Sequence, residues 1–526
     1  MESSIHGREH EADGVVRSCN RGMSRRSEAV TLVILCGAMF AGSLVVSTRH
    51  NAFPYYCHHD EPRKIEQLLT HDFNFHHPQL LLLTTDLVRR ARGQTHGYQR
   101  VVMSGRWVSA TFAAASIVLL ALLGWRAFGL LGAWCVGLSV AVCPILGLTA
   151  HFLKEDTALM LGLSASLLAL AVWHEKPTTR RLIWLGVACG LAASAKYIGM
   201  VCVVAAIAWV LAKPTGIQEL SGPRRLALLL LPAILVFAAI NYPLFGQLGS
   251  FGEGLNKGAN LVAQGRRPTG LPNLRVIEGL GRLSGPVLLL AGVSAFALIA
   301  GFRRRCLAGW LLLGTGLLFT GILMLTPLGV PDRYLLVPAV SLHALAGLGI
   351  AMIVELVGRN RGIRLRRTAR LAGAAAALGL VWVAAPVYRS MAIDAFDQAD
   401  VRAELIGWAN ATLCDDTKLA ASRSVGLPGV DGREPADPAI RFERVPVTID
   451  NAMKMDPHDL RLRGITHIIL RDRELRQYLE RSRATRGPAD RMRDPTIEEP
   501  EVVWRTPERF KLKNRWLRPK LVVLRL

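Results

Sequence analysis

The chain has 526 residues, a formal net charge of +23, 51% hydrophobic residues and only 20% charged ones. Its apolar residues gather in runs near the length that crosses a hydrocarbon core at ~1.5 Å rise per residue, where a soluble protein spreads them at helix or strand periods. That excludes an ordinary soluble globule. Basic residues concentrated in short loops between the runs point to topology control and contact with membrane lipids, and no nucleic-acid partner is expected.

A polar tail over residues 1–28 precedes the first apolar run. The expected spans are Ala29–Thr48, Ser104–Gly124, Leu130–Ala150, Thr157–Trp173, Leu182–Ala195, Tyr197–Leu211, Leu226–Phe245, Pro286–Gly301, Leu307–Pro327, Tyr334–Val357 and Leu371–Tyr388. The first is read as an uncleaved anchor, because cleavage would detach the loop behind it. With the amino terminus inside, the inner loops carry Arg126, then Lys176, Arg180 and Arg181, then Lys213, Arg224 and Arg225, then Arg303–Arg305, and finally the arginines from Arg359 to Arg370. Each is basic, as the positive-inside rule requires. Merging the two spans around Lys196 would invert everything downstream, so Lys196 is placed in an outer turn. The other outer segments are the loops 49–103, 151–156, 246–285 and 328–333, and everything after Ser390.

The predicted architecture is an all-α polytopic membrane domain of about eleven transmembrane helices over 29–390, with a small carboxy-terminal α/β domain over 391–526. In that domain Val401–Ala409 reads as an amphipathic helix, and Ile465–Leu470, Val502–Trp504 and Leu521–Leu526 as strands. A helix is expected from Arg473 to about Arg481, and a loop over Ser482–Glu499. The nine cysteines include no CxxC pair, so no zinc framework is visible. Cys57 and Cys414 would share the outer side, where a bridge is conceivable.

Several outer motifs bear chemistry. His58-His59-Asp60-Glu61-Pro62 sets adjacent carboxylates about ten residues beyond a membrane exit. A carboxylate there is partly desolvated, which suits a general base, or it is simply an acidic turn capped by Pro62. Asn74-Phe75-His76-His77-Pro78-Gln79 follows, and six histidines fall between His50 and His77. The histidines could ligate a divalent metal, with His59, Asp60 and Asp156 the possible ligands. Equally, His76 or His77 pins the loop and Pro78 starts an interfacial helix. In His151-Phe152-Leu153-Lys154-Glu155-Asp156, Asp156 is either a helix N-cap or a second carboxylate on the face of Asp60, and Lys154 could pair with an acid. Lys196 interrupts an apolar stretch, as a snorkelling lysine or a phosphate contact. Asp332-Arg333-Tyr334 opens a helix, and Arg333 is either a bidentate phosphate ligand or Asp332's interfacial partner. Arg266, Arg267 and Arg275 could add to a cationic funnel.

In combination, "HDEPRKIEQLL" with "FNFHHPQL", "KEDTALM" with "GLAASAKYIGM", "DRYLLVPAV", and "DVRAELIGWANATL" resemble, in order, motifs of the GT-C superfamily of membrane glycosyltransferases. The group they are most similar to includes the protein O-mannosyltransferases and the lipid A aminoarabinose transferases (glycosyltransferase family 39-like). Gln79 stands where the group has a second proline, and the chain beyond about Ser422 matches none of its motifs.

The resemblance implies an inverting glycosyltransferase taking a polyprenyl-phosphate sugar as donor and a hydroxyl as acceptor, with no nucleotide sugar. It implies Asp60 as base, Glu61 in support and Asp156 as an orienting group. Lys196 and Arg333, with Tyr334, become the phosphate contacts, and His76, His77 and Pro78 position the loop. No cofactor is required, although a divalent cation is possible. The expected location is a bacterial plasma membrane, with the amino terminus cytoplasmic and the carboxy-terminal domain outside. The rival classes are a transporter or flippase of a lipid-linked substrate, and a non-catalytic membrane scaffold. Clustering of Asp60, Asp156, Lys196 and Arg333 at one outer cavity separates the transferase from the scaffold.

Overall fold

In the computed structural model the described residues run from 25 to 525. Left out are 213–220, 254–255, 257–272, 300–305, 326–331, 359–362, 398–400, 414–416, 422–424, 426–442, 446–456, 472–473, 476–477, 479–500 and 507–520, and the positions 56, 57, 59, 95 and 286. His59, Cys57, Cys414, Arg266 and Arg267 therefore lie outside the described residues, as does the Ser482–Glu499 stretch.

The membrane domain is built from α1 (Arg25–Thr48), α2 (Glu61–Thr70), α3 (Leu80–Ala91), α4 (Tyr98–Ala141), α5 (Pro144–Ala150), α6 (Glu155–Glu175), α7 (Thr179–Ala195), α8 (Met200–Ala212), α9 (Gly222–Ile240), α10 (Arg275–Ser284), α11 (Val287–Ile299), α12 (Leu307–Leu325), α13 (Leu336–Gly358) and α14 (Ile363–Tyr388). Every apolar run predicted as a span is α-helical over most of its described residues. Seven described helices have the length and hydropathy to cross a membrane by themselves, and the protein is a multi-pass membrane protein.

Two reversals account for most of the remaining spans. At Phe128 and Gly129 the backbone leaves helical geometry, and α4 folds back on itself. A Cβ at Gly124 would press into the Gly132 carbonyl, and one at Gly137 would meet the Ala121 side chain. Only glycine allows the two arms to approach so closely. At Lys196 the chain becomes extended, and α8 returns along α7. The Cys189 thiol lies 3.5 Å from the Cys202 carbonyl, so the residues flanking Lys196 pair as an antiparallel hairpin. The apolar stretch around Lys196 is therefore two helices and not one.

Polar contacts sort the helix ends into two groups. At one end Trp125 Nε1 donates to Glu28 Oε1 at 3.3 Å, Arg126 Nε to Glu175 Oε1 at 3.0 Å, and Trp209 Nε1 to His174 Nδ1 at 3.2 Å. At the other end the loop after α1 meets the 151–156 turn, the end of α7, the start of α13 and the segment after α14. Between the ends, Ser139 Oγ donates to the His343 carbonyl at 2.6 Å, and His343 Nδ1 lies 2.7 Å from the Ser139 carbonyl. This reciprocal pair fixes the second arm of α4 to α13.

In the carboxy-terminal domain, helix α15 (Val401–Thr412) precedes a five-stranded sheet of order β2-β1-β3-β5-β4. The strands are β1 (Lys418–Ala421), β2 (Glu443–Val445), β3 (His467–Arg471), β4 (Glu501–Arg505) and β5 (Leu521–Arg525). β1 runs parallel to β2 and β3, while β5 is antiparallel to β3 and β4. Both β3 and β5 are buried along four consecutive residues, which marks strands covered on two faces. Leu419, Ile469 and Val523 face the core that contains Val401 and Leu405 of α15, and Ile468, Leu470 and Val522 face a second cluster with Leu460 and Tyr478. The predicted helix, α15, and three strands are present; β1 and β2 are additions. Of the helix expected near Arg473, residues 474, 475 and 478 are helical and the rest is not described.

Candidate active site

The loop between α1 and α4 is held down by charge buried beneath it. Arg106, two turns into α4 and fully buried, donates from Nε to Glu61 Oε1 at 3.0 Å and from Nη2 to Oε2 at 2.6 Å. Its remaining donors reach the carbonyls of Asn51 (2.8 Å), Phe53 (2.5 Å) and Pro54 (3.2 Å), and its guanidinium stacks 3.5 Å from the Phe53 ring centroid. Glu61 Oε1 also accepts the Leu153 N–H at 2.9 Å. One buried ion pair thus joins the first loop to the 151–156 turn, and Glu61 is wholly enclosed.

Helix α2 opens at Glu61 with Pro62 in its first turn, where a missing N–H costs nothing. Its buried face of Glu61, Lys64, Ile65, Gln67 and Leu68 follows helical spacing. Lys64 lies inward and pairs with Glu155 at the start of α6. Burial lowers the Lys64 pKa, against the pull of Glu155 and in concert with neighbouring Lys154.

The rest of the loop is pinned by side chains from distant helices. The Tyr197 hydroxyl donates to the Phe75 carbonyl at 2.9 Å, at a residue with φ of 47°. The Gln79 N–H donates to buried Asn241 Oδ1 at 2.9 Å, a bond that proline could not make. Helix α3 starts at Leu80 with Gln79 as its N-cap, so Pro78 precedes the helix by two residues and does not open it. The His76 backbone N–H donates to Asn74 Oδ1 at 3.1 Å. His77 is pushed down to a pKa of about 4, chiefly by burial, with Glu155 opposing and Lys196, Lys64 and Lys154 adding to the shift.

Against this scaffold stand the predicted reactive groups. Asp60 is about a third exposed and contacts Lys154 Nζ through Oδ2, and Arg333 Nη1 approaches the same oxygen at 3.6 Å. Two cations therefore face the carboxylate, in place of the apolar surroundings expected from its distance to the membrane. Asp156 is buried and accepts from Lys196 Nζ at 2.8 Å. Lys154 is the N-cap of α6 and Asp156 lies inside its first turn, so the N-cap reading of Asp156 does not hold. Tyr334 lies between cations, its ring centroid 5.3 Å from Lys196 Nζ and 5.2 Å from Arg333 Cζ. Asp332 pairs with Arg282 of α10, while Arg333 reaches Asp60; the expected Asp332–Arg333 pair is replaced by these two.

A cavity of about 100 Å³ opens beside Asp60, lined by Asp60, Arg63, Lys64, Gln67, Asn74, His76, His77, Leu82, Lys154 and Glu155. Asp156, Lys196 and Arg333 are not in its lining; Arg333 reaches it through Asp60, while Asp156 and Lys196 pair with each other. Among the described residues no group of three His, Cys, Asp or Glu is arranged to hold a metal ion. Arg275 sits exposed in the first turn of α10.

The comparisons address the scaffold. The family model for dolichyl-phosphate-mannose-protein mannosyltransferase matches residues 99–242, which run from the start of α4 to the 3-10 turn after α9. No curated protein sequence matches the chain. Among solved structures, ArnT from Cupriavidus metallidurans bound to undecaprenyl phosphate superposes with a TM-score of 0.52 at 15% identity, over 95% of this chain and 98% of that one. The chain has the GT-C fold. A second GT-C neighbour, the Archaeoglobus fulgidus oligosaccharyltransferase tethered to an acceptor peptide, gives a TM-score of 0.50 at 9% identity, over 83% of this chain and 69% of the other. Placed on the GT-C fold, Asp60, Asp156, Lys196, Arg333 and Tyr334 come from four chain segments and gather at one end of the bundle.

Arg106, Lys64, Asn241 and Tyr197 were not singled out from the sequence. Arg106 carried a signal, since an arginine two residues inside an apolar run is costly unless buried and paired. Asn241 and Tyr197 carried none; only the folded chain brings them to the loop.

Proposed function

We propose that the protein is a membrane glycosyltransferase that moves a sugar from a polyprenyl-phosphate donor to a hydroxyl acceptor on the extracytoplasmic face, with inversion and with Asp60 as general base. The observation that carries this reading is the meeting of a part-exposed carboxylate with cations from two other segments, Lys154 and Arg333, beside the Asp156–Lys196 pair. A scaffold has no need to bury so many ionisable side chains at one end.

The step is one in-line displacement. Asp60 takes the acceptor's O–H proton while the acceptor oxygen bonds to the anomeric carbon. The bond from that carbon to the phosphate oxygen breaks, and its electron pair leaves with the polyprenyl phosphate. Lys196 and Arg333 receive the developing negative charge, a stabilisation that preformed cations provide without reorganisation. Asp156 holds Lys196 in place, and Tyr334 spaces the two cations. Glu61 acts from beneath by fixing the loop that carries Asp60. A divalent cation is not needed for this chemistry. The membrane is proposed to be a bacterial plasma membrane, with the amino terminus inside.

The test is sugar transfer by the purified chain in nanodiscs, supplied with defined polyprenyl-phosphate sugars and a panel of hydroxyl acceptors. Asp60→Asn should lose transfer with any donor that wild type accepts. Transfer at near wild-type rate by that variant sinks the assignment.

A further inference from the structure

Four cations, Lys64, Lys154, Lys196 and Arg333, meet three carboxylates, Asp60, Glu155 and Asp156, in the ion pairs of the site. Glu61 and Arg106 neutralise one another beneath them. The site therefore has more positive than negative side chains, which favours an anion. The distances indicate which cation would serve it. Lys64 is in close contact with Glu155, and Lys154 with Asp60. Lys196 is within hydrogen-bond distance of Asp156, at 2.8 Å. Arg333 is 3.6 Å from Asp60, beyond a hydrogen bond, and it approaches the oxygen that Lys154 already contacts.

We infer that Arg333 is exchanged between two anions: Asp60 holds it without donor, and the lipid phosphate takes it when donor binds, so that the base is released only after the donor is seated. A guanidinium matches a phosphate with two parallel hydrogen bonds, a better arrangement than a 3.6 Å approach to a carboxylate oxygen that a lysine already shares. A carboxylate facing two cations is a weaker base than one facing a single cation, so removal of Arg333 strengthens Asp60 at the moment a sugar stands ready. Lys154 stays on Asp60 throughout and keeps the carboxylate oriented. The shared ring of Tyr334, within 5.3 Å of both Lys196 and Arg333, keeps the guanidinium beside Lys196 as it turns. This inference rests on the reading that the site takes a polyprenyl-phosphate donor.

The exchange predicts an unusual sign: removing the carboxylate of the proposed base should tighten the binding of an anionic lipid. The probe is undecaprenyl phosphate without sugar, titrated against the full purified chain in nanodiscs. Asp60→Asn should bind it about tenfold more tightly than wild type, and Arg333→Ala about tenfold more weakly, the scale of coupling between contacting residues. The double variant should bind no more tightly than Arg333→Ala alone. Asp60→Ser provides a second entry to the same cycle should the asparagine variant misfold. Unchanged or weakened binding in both Asp60 variants overturns the exchange. So does tightening that persists in full without Arg333, because that is general charge repulsion. Sugar transfer, measured on the same variants, reads the base assignment separately. A transfer-dead Asp60→Asn with unchanged probe affinity ends the exchange and keeps the base. A transfer-competent one with tightened affinity ends the base and keeps the exchange.

Discussion

The two ends of the helix bundle are both rich in charge and use it in opposite ways. At the far end, Arg126 and Glu175 pair with 28% and 39% of their side chains exposed, alongside basic loops that water can solvate. At the site end, Arg106 and Glu61 pair with no exposure, and Lys64 and Glu155 with almost none. The adjacent residues Asp60 and Glu61 show the contrast in miniature. Glu61 is sealed by an arginine and a backbone N–H, while Asp60 is left at the surface of a cavity between two cations. Charge at one end is left partly exposed; buried charge at the other builds a fixed floor under Asp60.

The sharpest way to break this comparison is to remove one partner at each end. Arg106→Ala strands a buried carboxylate and three backbone carbonyls, and should cost about 3–5 kcal/mol, enough to leave the loop protease-sensitive. Arg126→Ala at the far end should cost under about 1 kcal/mol, because solvent already screens that pair. Equal shifts in thermal unfolding for the two variants would erase the distinction.

Next in size is activity. Asp60→Asn should lower transfer by about 10²–10⁴-fold, the usual contribution of a general base, with an unfolding midpoint close to wild type. A matching loss of stability would make Asp60 part of the floor, like Glu61.

The acid limb of stability is a smaller effect. Burial holds His151 down to about 3, with the Ala392 carbonyl opposing the shift, and His77 down to about 4. Each is neutral when folded and takes a proton on unfolding below its ordinary value near 6.5. The stabilisation is therefore complete above that pH and is lost on acidification toward the folded pKa, by about 2 kcal/mol per histidine between pH 6.5 and 5. His151 sits with Asn51 Oδ1 at 2.6 Å and the Ala392 carbonyl at 2.9 Å. Replacing it by Gln should flatten part of this pH dependence in a thermal melt, while a far-end histidine variant should not.

A change of similar size concerns Gln79. Gln79→Pro removes the N–H that Asn241 accepts and leaves a buried side-chain oxygen short of a donor, at a cost of about 1–3 kcal/mol. Asn241→Leu on the proline background should recover part of that loss. A proline variant as stable as wild type would show that the bond to Asn241 adds nothing.

Much of this protein was legible in its order of residues. Apolar runs of membrane length gave the positions of the helices, and the interruption at Lys196 gave the break between α7 and α8, because helix insertion depends on local hydrophobicity and local charge. Asp60, Asp156, Lys196 and Arg333 could be singled out because ionisable groups beside hydrocarbon are costly and stand out from their neighbours. Their partners could not be read that way. Lys154 with Asp60, Asp332 with Arg282, the enclosure of Glu61 by Arg106, and the Asn241 cap on Gln79 join residues up to 162 positions apart. Whether a charge is solvated, sealed or shared depends on which side chains meet it in space, and only packing of the whole bundle decides that.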